Sequence, residues 1–196
     1  MENSSSKRGC VHGRFQPPHR EHLEYVSEAL KRVDHLIIGI AQPDAPYLEA
    51  CDEDPHRALI SDNPLTYVER CVAIEKMLTG IGVSRDKYSF AKFPIDRPED
   101  LAENVSLDVI CFTTIRNEWN RKKIQILESR GYKVELLWDK SDEEGISGTN
   151  IRKLIRESNP FWEQLVHPAV AGYLKSEHLV EKIIKMEHFQ PQSKPD

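Results

Sequence analysis

Residues 10–41 read CVHGRFQPPHREHLEYVSEALKRVDHLIIGIA, and the order of patterns in that stretch decides the fold. Residues 10–15 form a short run of strand type. Leu23, Val26 and Leu30 then recur at helical spacing, and residues 33–41, VDHLIIGIA, form an apolar run of strand length. Strand, helix and strand in that order make a parallel crossover, which in one sheet is right-handed.

The alternation continues downstream. Residues 42–63 are rich in Pro, Asp and Ala without periodicity, which predicts a long loop near the functional site. Thr66 with Glu69 three residues on reads as a capping box opening a helix through Leu78. Residues 88–95 alternate as a strand, 107–114 form a buried-type strand, 119–129 have helical spacing, and 133–138 form another strand. Residues 149–157, 161–166, 168–176 and 179–186 read as helices. The predicted class is therefore α/β: a Rossmann-like doubly wound sheet of about five parallel strands, with helices on both faces and a C-terminal helical segment. Ligands of such sheets sit in the crevice beyond the carboxyl ends of the strands. The expected division is a flexible N-terminus at 1–8, the Rossmann-like domain at 9–157, a helical extension of the same domain at 158–188, and a tail at 189–196.

At 196 residues, with 39% hydrophobic and 30% charged, the chain has room for one sizeable core. A formal net charge of -5 argues against a nucleic-acid partner, which would need a basic face, but leaves room for a local basic pocket. No run of 18 apolar residues and no apolar signal segment occurs, so the reading is a cytoplasmic protein without a membrane partner. Assembly with copies of itself stays open. The cysteines, at 10, 51, 71 and 111, form no C-x-x-C pair. All four read as reduced and non-catalytic, with Cys10 and Cys111 as small buried side chains.

The chemistry concentrates at GRFQPPHREH, residues 13–22. A helix beginning near Pro18 puts His19 and His22 on the same side of its first turn. Free backbone N–H groups and the positive end of the helix dipole already favour an anion there. Arg14 adds a cation, and the set reads as a phosphate cradle. The spacing alone equally suits surface histidines on an ordinary helix start. It also suits two zinc ligands, although no cysteine or third histidine follows at ligand spacing.

GRFQPPHREH resembles the G-R-F-Q-P-x-H-x-G-H signature of the nucleotidylyltransferase superfamily, in particular the archaeal type of nicotinamide-nucleotide adenylyltransferase. ISGTNIR at 146–152 resembles that family's S-G-T-x-I-R or S-S-T-x-I-R motif, and NPLTYVER at 63–70 its N-P-F-T-x-x-E-R segment. The resemblance implies that His19 and His22 contact a nucleoside triphosphate and stabilise charge as pyrophosphate leaves. It implies phosphate-binding roles for Arg14, Arg70 and Arg152, and nucleotide-binding roles for Gly13, Phe15, Gln16, Ser147, Gly148 and Thr149. The implied reaction is attack by an acceptor phosphate oxygen on the α-phosphorus, with Mg²⁺ held mainly by substrate phosphates and water rather than by protein ligands. Such chemistry needs orientation and charge spreading more than acid or base. Each well-placed donor is worth ~3 kcal/mol in the transition state.

Three departures shape the expected substrate. Glu21 stands where the signature has Gly, and a carboxylate there would repel a polyphosphate unless it points away, binds Mg²⁺ or meets a cation on the acceptor. As a helix-terminal residue it would also interact favourably with the dipole. DRPEDLAENVS, after the third strand, lacks the aromatic residue that holds nicotinamide in the family, and IRNEWNRKK after CFTT replaces its S-G-N-P-type loop. EEGISGTNIR also resembles the E-G-I-S-T-[ST] motif of cytidylyltransferases. These point to CTP, narrowly over ATP, and to a small phosphate or phosphonate acceptor, in the neighbourhood of the phosphonoformate cytidylyltransferases. Asn117 and Asn120 are expected near the base, and Arg116, Arg121, Lys122 and Lys123 could supply cations for the acceptor, the bland reading of these four being a solvated basic helix face, which suits the last three better than Arg116. The alternatives are a nicotinamide-nucleotide adenylyltransferase and a non-catalytic nucleotide-binding regulator, the latter motivated by Glu21.

Overall fold

The computed structural model describes residues 6–43 and 59–186. Within them β1 (Arg8–Gly13), α1 (Arg20–Leu30), β2 (His35–Ala41), α2 (Tyr67–Gly80), β3 (Tyr88–Phe93), α3 (Leu101–Asn104), β4 (Ile110–Ile115), α4 (Glu118–Ser129) and β5 (Lys133–Asp139) follow in order. The strands make one parallel sheet in the order β3-β2-β1-β4-β5. The chain thus reverses its direction across the sheet at β1 and β4, the switch point where such folds bind ligands. Then come α5 (Gly148–Arg156), α6 (Trp162–Leu165), α7 (Pro168–Ser176) and α8 (Leu179–Lys185).

Alternation along the strands builds a core on each face of the sheet. Val11, Leu36, Ile38 and Ile40 point into a core shared with Val26 of α1, Ile74 and Met77 of α2, and Leu174 and Ile183 of the C-terminal helices. Cys10, Ile37, Ala41 and Cys111 point the other way, against Leu101 of α3 and Trp119 and Leu127 of α4. Helices on both faces are therefore a direct product of strands that are apolar at successive positions. Cys10 and Cys111 are register partners across β1 and β4. The hydrogen bond from Cys111, with burial, raises the Cys10 thiol well above its ordinary value, so it stays protonated and inert. Cys51 lies outside the described residues.

Several boundaries differ from the sequence reading. β1 ends at Gly13 rather than at residue 15, because Phe15 adopts a positive φ of 54° and turns its ring into the core. α1 begins at Arg20 rather than near Pro18, because His19 stays extended as the N-cap. Arg8, assigned to the flexible N-terminus, is the first residue of β1, and next to it the Lys7 N–H donates to the Asp34 carboxylate at 2.7 Å while the Lys7 carbonyl accepts the Asp34 N–H at 2.8 Å. The Thr66 and Glu69 capping box is present. α3 and the short turn Ile60–Asp62 have no counterpart in the reading, being too short to show a period. Most of the predicted 42–63 loop lies outside the described residues. Among the described residues no helix is long and apolar enough to cross a membrane.

Candidate active site

β1 and β4 are paired only at Gly9 with Ile110 and Cys10 with Cys111. Beyond that the two strands part. The Tyr25 hydroxyl, from α1, fills the opening: it donates to the Phe112 carbonyl at 2.5 Å and accepts the His12 N–H at 3.2 Å, satisfying backbone groups that lost their ladder partners. A cavity of about 260 Å³ lies at this mouth. β5 carries an extra residue where Thr113 pairs with Leu136 but Thr114 with Trp138. That bulge brings the Trp138 side chain to the cavity wall beside Thr114.

The first helix start forms one side. His22 Nδ1 accepts the N–H of His19 at 3.2 Å, so His22 is neutral, carries its proton on Nε2, and can present that N–H as a donor. Burial, with Lys123 and Arg14 nearby, pushes the His22 pKa down to about 3. Burial also lowers His19 well below its ordinary value, assisted by His22 and Arg116. Their rings lie with centroids 3.7 Å apart, tilted by 32°, and that proximity disfavours charge on both. Before ligand binds, the two imidazoles are thus a pair of neutral donors.

The second helix start closes against the first. Ser147 caps α5 by accepting the Asn150 N–H at 3.1 Å. A Cβ at Gly148 would lie 2.6 Å from the Gln16 carbonyl oxygen, so only glycine lets α5 approach the turn before α1 so closely. Arg152, 1% exposed, donates to that same carbonyl at 2.7 Å, reaches Thr149 Oγ1 at 3.2 Å and pairs with buried Asp62. Gln16 itself clasps the Leu65 peptide with both ends of its amide, at 2.8 and 2.9 Å.

Of the residues expected at the site, the cavity wall gathers Gly13, Arg14, Phe15, Gln16, His19, His22, Arg116, Asn120, Gly148 and Arg152. It leaves out four. Arg70 is 1% exposed and donates to the carbonyls of Thr66, Arg14, Ala41 and Gln42, so its guanidinium braces the turn behind the cavity. Asn117 and Asn120 cap α4 reciprocally, and Asn117 is exposed. Ser147 and Thr149 are exposed and are engaged with Asn150 and Arg152 within α5. The basic run divides: Lys123 lines the cavity, whereas Arg121 pairs outside it with Asp139 at 3.2 Å.

Sequence reasoning missed His12, Tyr25, Asp62, Trp138 and Lys140. His12 had a signal, a polar residue inside an apolar strand; in the structure it is 4% exposed, stacks on Phe93 and lines the cavity. Asp62 had none, since its partner is ninety positions away. Five cationic and two acidic side chains line the cavity of a chain whose net charge is -5. That concentrates positive potential where an anion would enter.

Residues 10–154 match a family model described as cytidylyltransferase-like. The chain is 37% identical over 175 residues to the phosphonoformate cytidylyltransferase of Streptomyces viridochromogenes, covering 89% of this chain and 94% of that one. It is 31% identical over 179 residues to the nicotinamide-nucleotide adenylyltransferase of Pyrococcus furiosus, covering 90% and 87%. Among solved structures it superposes on a bifunctional NMN adenylyltransferase/ADP ribose pyrophosphatase from Francisella tularensis with a TM-score of 0.60. That match covers 92% of this chain and 53% of the other, and at 14% identity it concerns the fold alone.

Proposed function

The chain belongs to the cytidylyltransferase-like family of nucleotidyltransferases, and from that premise we propose that it transfers CMP from CTP to an oxygen of a small phosphate or phosphonate, releasing pyrophosphate. The observation that carries the reading is the convergence of two helix starts, at His19 and Gly148, on one cationic cavity at the switch point. The greater identity to a phosphonoformate cytidylyltransferase than to the Pyrococcus furiosus adenylyltransferase supports CTP and the small acceptor.

In this reading the acceptor oxygen forms a bond to the α-phosphorus as the bond to the bridging oxygen breaks, and the charge moves onto pyrophosphate. His22 Nε2–H, the His19 ring, Arg14 and the free N–H groups of α5 receive that charge. Each is preoriented, and removing one costs about 10²–10³ in rate. Mg²⁺, carried on the substrate phosphates, supplies further charge neutralisation. The acidic side chains on the cavity wall, Glu21 and Glu24, are both in ion pairs, with Arg116 and Lys140, so the nucleotide and water are left as its main ligands. A nucleoside triphosphate donor is consistent with a cytoplasmic location. The regulator alternative was motivated by Glu21, a carboxylate beside the cradle; its pairing with Arg116 at 2.7 Å supports a site that still admits a triphosphate.

Pyrophosphate release tests the proposal, with each of the four common nucleoside triphosphates against phosphonoformate, other small phosphonates and phosphates, and nicotinamide mononucleotide. CTP with a small phosphonate should give the largest kcat/KM. Efficient NAD formation from ATP and nicotinamide mononucleotide would overturn the substrate assignment.

A further inference from the structure

Glu21 lies on the first turn of α1 between the two histidines and lines the cavity. One carboxylate oxygen is 2.7 Å from the Arg116 guanidinium, and the other accepts the Ile146 N–H at 2.9 Å. Ile146 immediately precedes Ser147, the N-cap of α5. The segment before α5, residues 140–147, is turn and coil, with a turn bond from the Glu143 N–H to the Lys140 carbonyl at 3.1 Å. Arg116 reaches the Lys140 and Glu143 carbonyls only at 3.4 Å. At Gly145 an added Cβ would fall 3.0 Å from both the Arg116 Cζ and the Glu21 Oε1, so the chain lies directly against the ion pair. Glu21 is therefore the side chain through which the start of α1 grips the peptide leading into α5.

We propose that Glu21 is a positioning residue for nucleotide binding: it fixes the spacing of the two helix starts by holding the Ile146 peptide, while Arg116 cancels its charge so that an incoming triphosphate is not repelled. What fills the site rests on the nucleotidyl-transfer reading; the grip on Ile146 does not. The ion pair is about three-quarters buried, 23% and 24% exposed at its two side chains, which protects it from screening by salt. It also explains how the chain accommodates an acidic residue at a phosphate-binding turn.

The test uses the full chain and the variants Glu21→Gly and Glu21→Gln, with hydrogen exchange of the 143–148 amides and calorimetric binding of CTP and ATP. In Glu21→Gly, exchange at Ile146 should accelerate and nucleotide Kd should rise by about tenfold each, the loss of one hydrogen bond to a charged acceptor. Exchange in α2 should stay unchanged, and kcat at saturation should fall less than KM rises. Glu21→Gln keeps an oxygen for Ile146 and should retain most of the protection. The proposal is overturned if Glu21→Gly leaves Ile146 exchange unchanged, if it binds nucleotide as tightly as the parent, or if Glu21→Gln behaves like Glu21→Gly. If the parent itself binds no nucleoside triphosphate, the functional reading falls, and the exchange measurement still decides the grip.

Discussion

Nucleotide binding should draw protons into the site as the pH falls, and the structure sets how many. In the free site the His22 pKa lies at about 3, held down by burial and by Lys123 and Arg14. Roughly one His22 in a thousand is then charged at pH 6. A phosphate charge about 4 Å from the ring favours the imidazolium by ~4 kcal/mol at an effective dielectric of about 20. The added proton must go on Nδ1, where it breaks the bond from the His19 N–H, an opposing cost of about 1 kcal/mol. The net gain of ~3 kcal/mol multiplies the charged population by about 150. Uptake should therefore be negligible at pH 7.5, about 0.1 proton at pH 6 and about 0.6 at pH 5. The sign follows from the direction of the shift: a depressed histidine is neutral in the free protein and gains its proton only with the anion. The adjacent His19 ring keeps the total near one. Calorimetry of CTP binding in buffers of different ionisation enthalpy reads the uptake, and the difference from His22→Gln removes the nucleotide's own titration. No difference between the two at pH 5 would show that no phosphate approaches His22, and the cradle would have to be abandoned.

Three further outcomes follow from single contacts. Asp62→Asn leaves the buried Arg152 without its counter-charge, which should lower stability by about 2–4 kcal/mol while increasing the thermal stabilisation given by saturating CTP; equal shifts with and without CTP would separate Arg152 from the phosphates. Gly148→Ala pushes a methyl against the Gln16 carbonyl and should cut turnover at least ~100-fold. Gly172→Ala, where no atom lies within 4 Å of the new Cβ, should be silent, and equal activities of the two variants would refute the close approach of α5. Arg70→Lys cannot meet four carbonyls and should lower the unfolding free energy by ~2–4 kcal/mol, with CTP Kd changed less than about threefold. Unchanged stability with weakened CTP binding would return Arg70 to the phosphate-binding set.

The fold was legible because it depends on local periodicity. The apolar run at 33–41 reads as a buried strand by its length, and within β2 (His35–Ala41) Ile38 and its neighbour Ile37 each enter a different core. The strand order, and with it the switch point between β1 and β4, comes from the pairing in the sheet, which a count of strand and helix alternations does not fix. What the residues alone could not tell was which polar group faces which. Gln16, Asn117 and Arg70 sit inside or beside recognisable motifs, yet their hydrogen bonds go to the Leu65 peptide, to the cap of α4 and to four carbonyls. A motif preserves such residues for architecture as readily as for contact with a ligand, and spacing does not separate the two. The partners that decide, Asp62 for Arg152 and Arg116 for Glu21, lie 90 and 95 positions away in the chain and leave no local pattern.

Those two pairs also account for how the site tolerates its own charge. Five cations around about 260 Å³ repel one another when no anion is present, and a histidine charged among them would add to that repulsion. The chain relieves the strain in two ways: it keeps His19 and His22 neutral by burial, and it sets Asp62 against Arg152 and Glu21 against Arg116. Both carboxylates hold a guanidinium in place at the same time as they neutralise it. A triphosphate therefore meets donors whose direction is fixed before it arrives, so binding requires little reorganisation of the protein. The arrangement carries a consequence for selectivity. Small neutral ligands have nothing to offer a site whose charges are already paired, whereas a polyphosphate can draw a proton onto His22 and compete with the carboxylates. Affinity should therefore climb steeply with the charge of the ligand, from monophosphate to triphosphate.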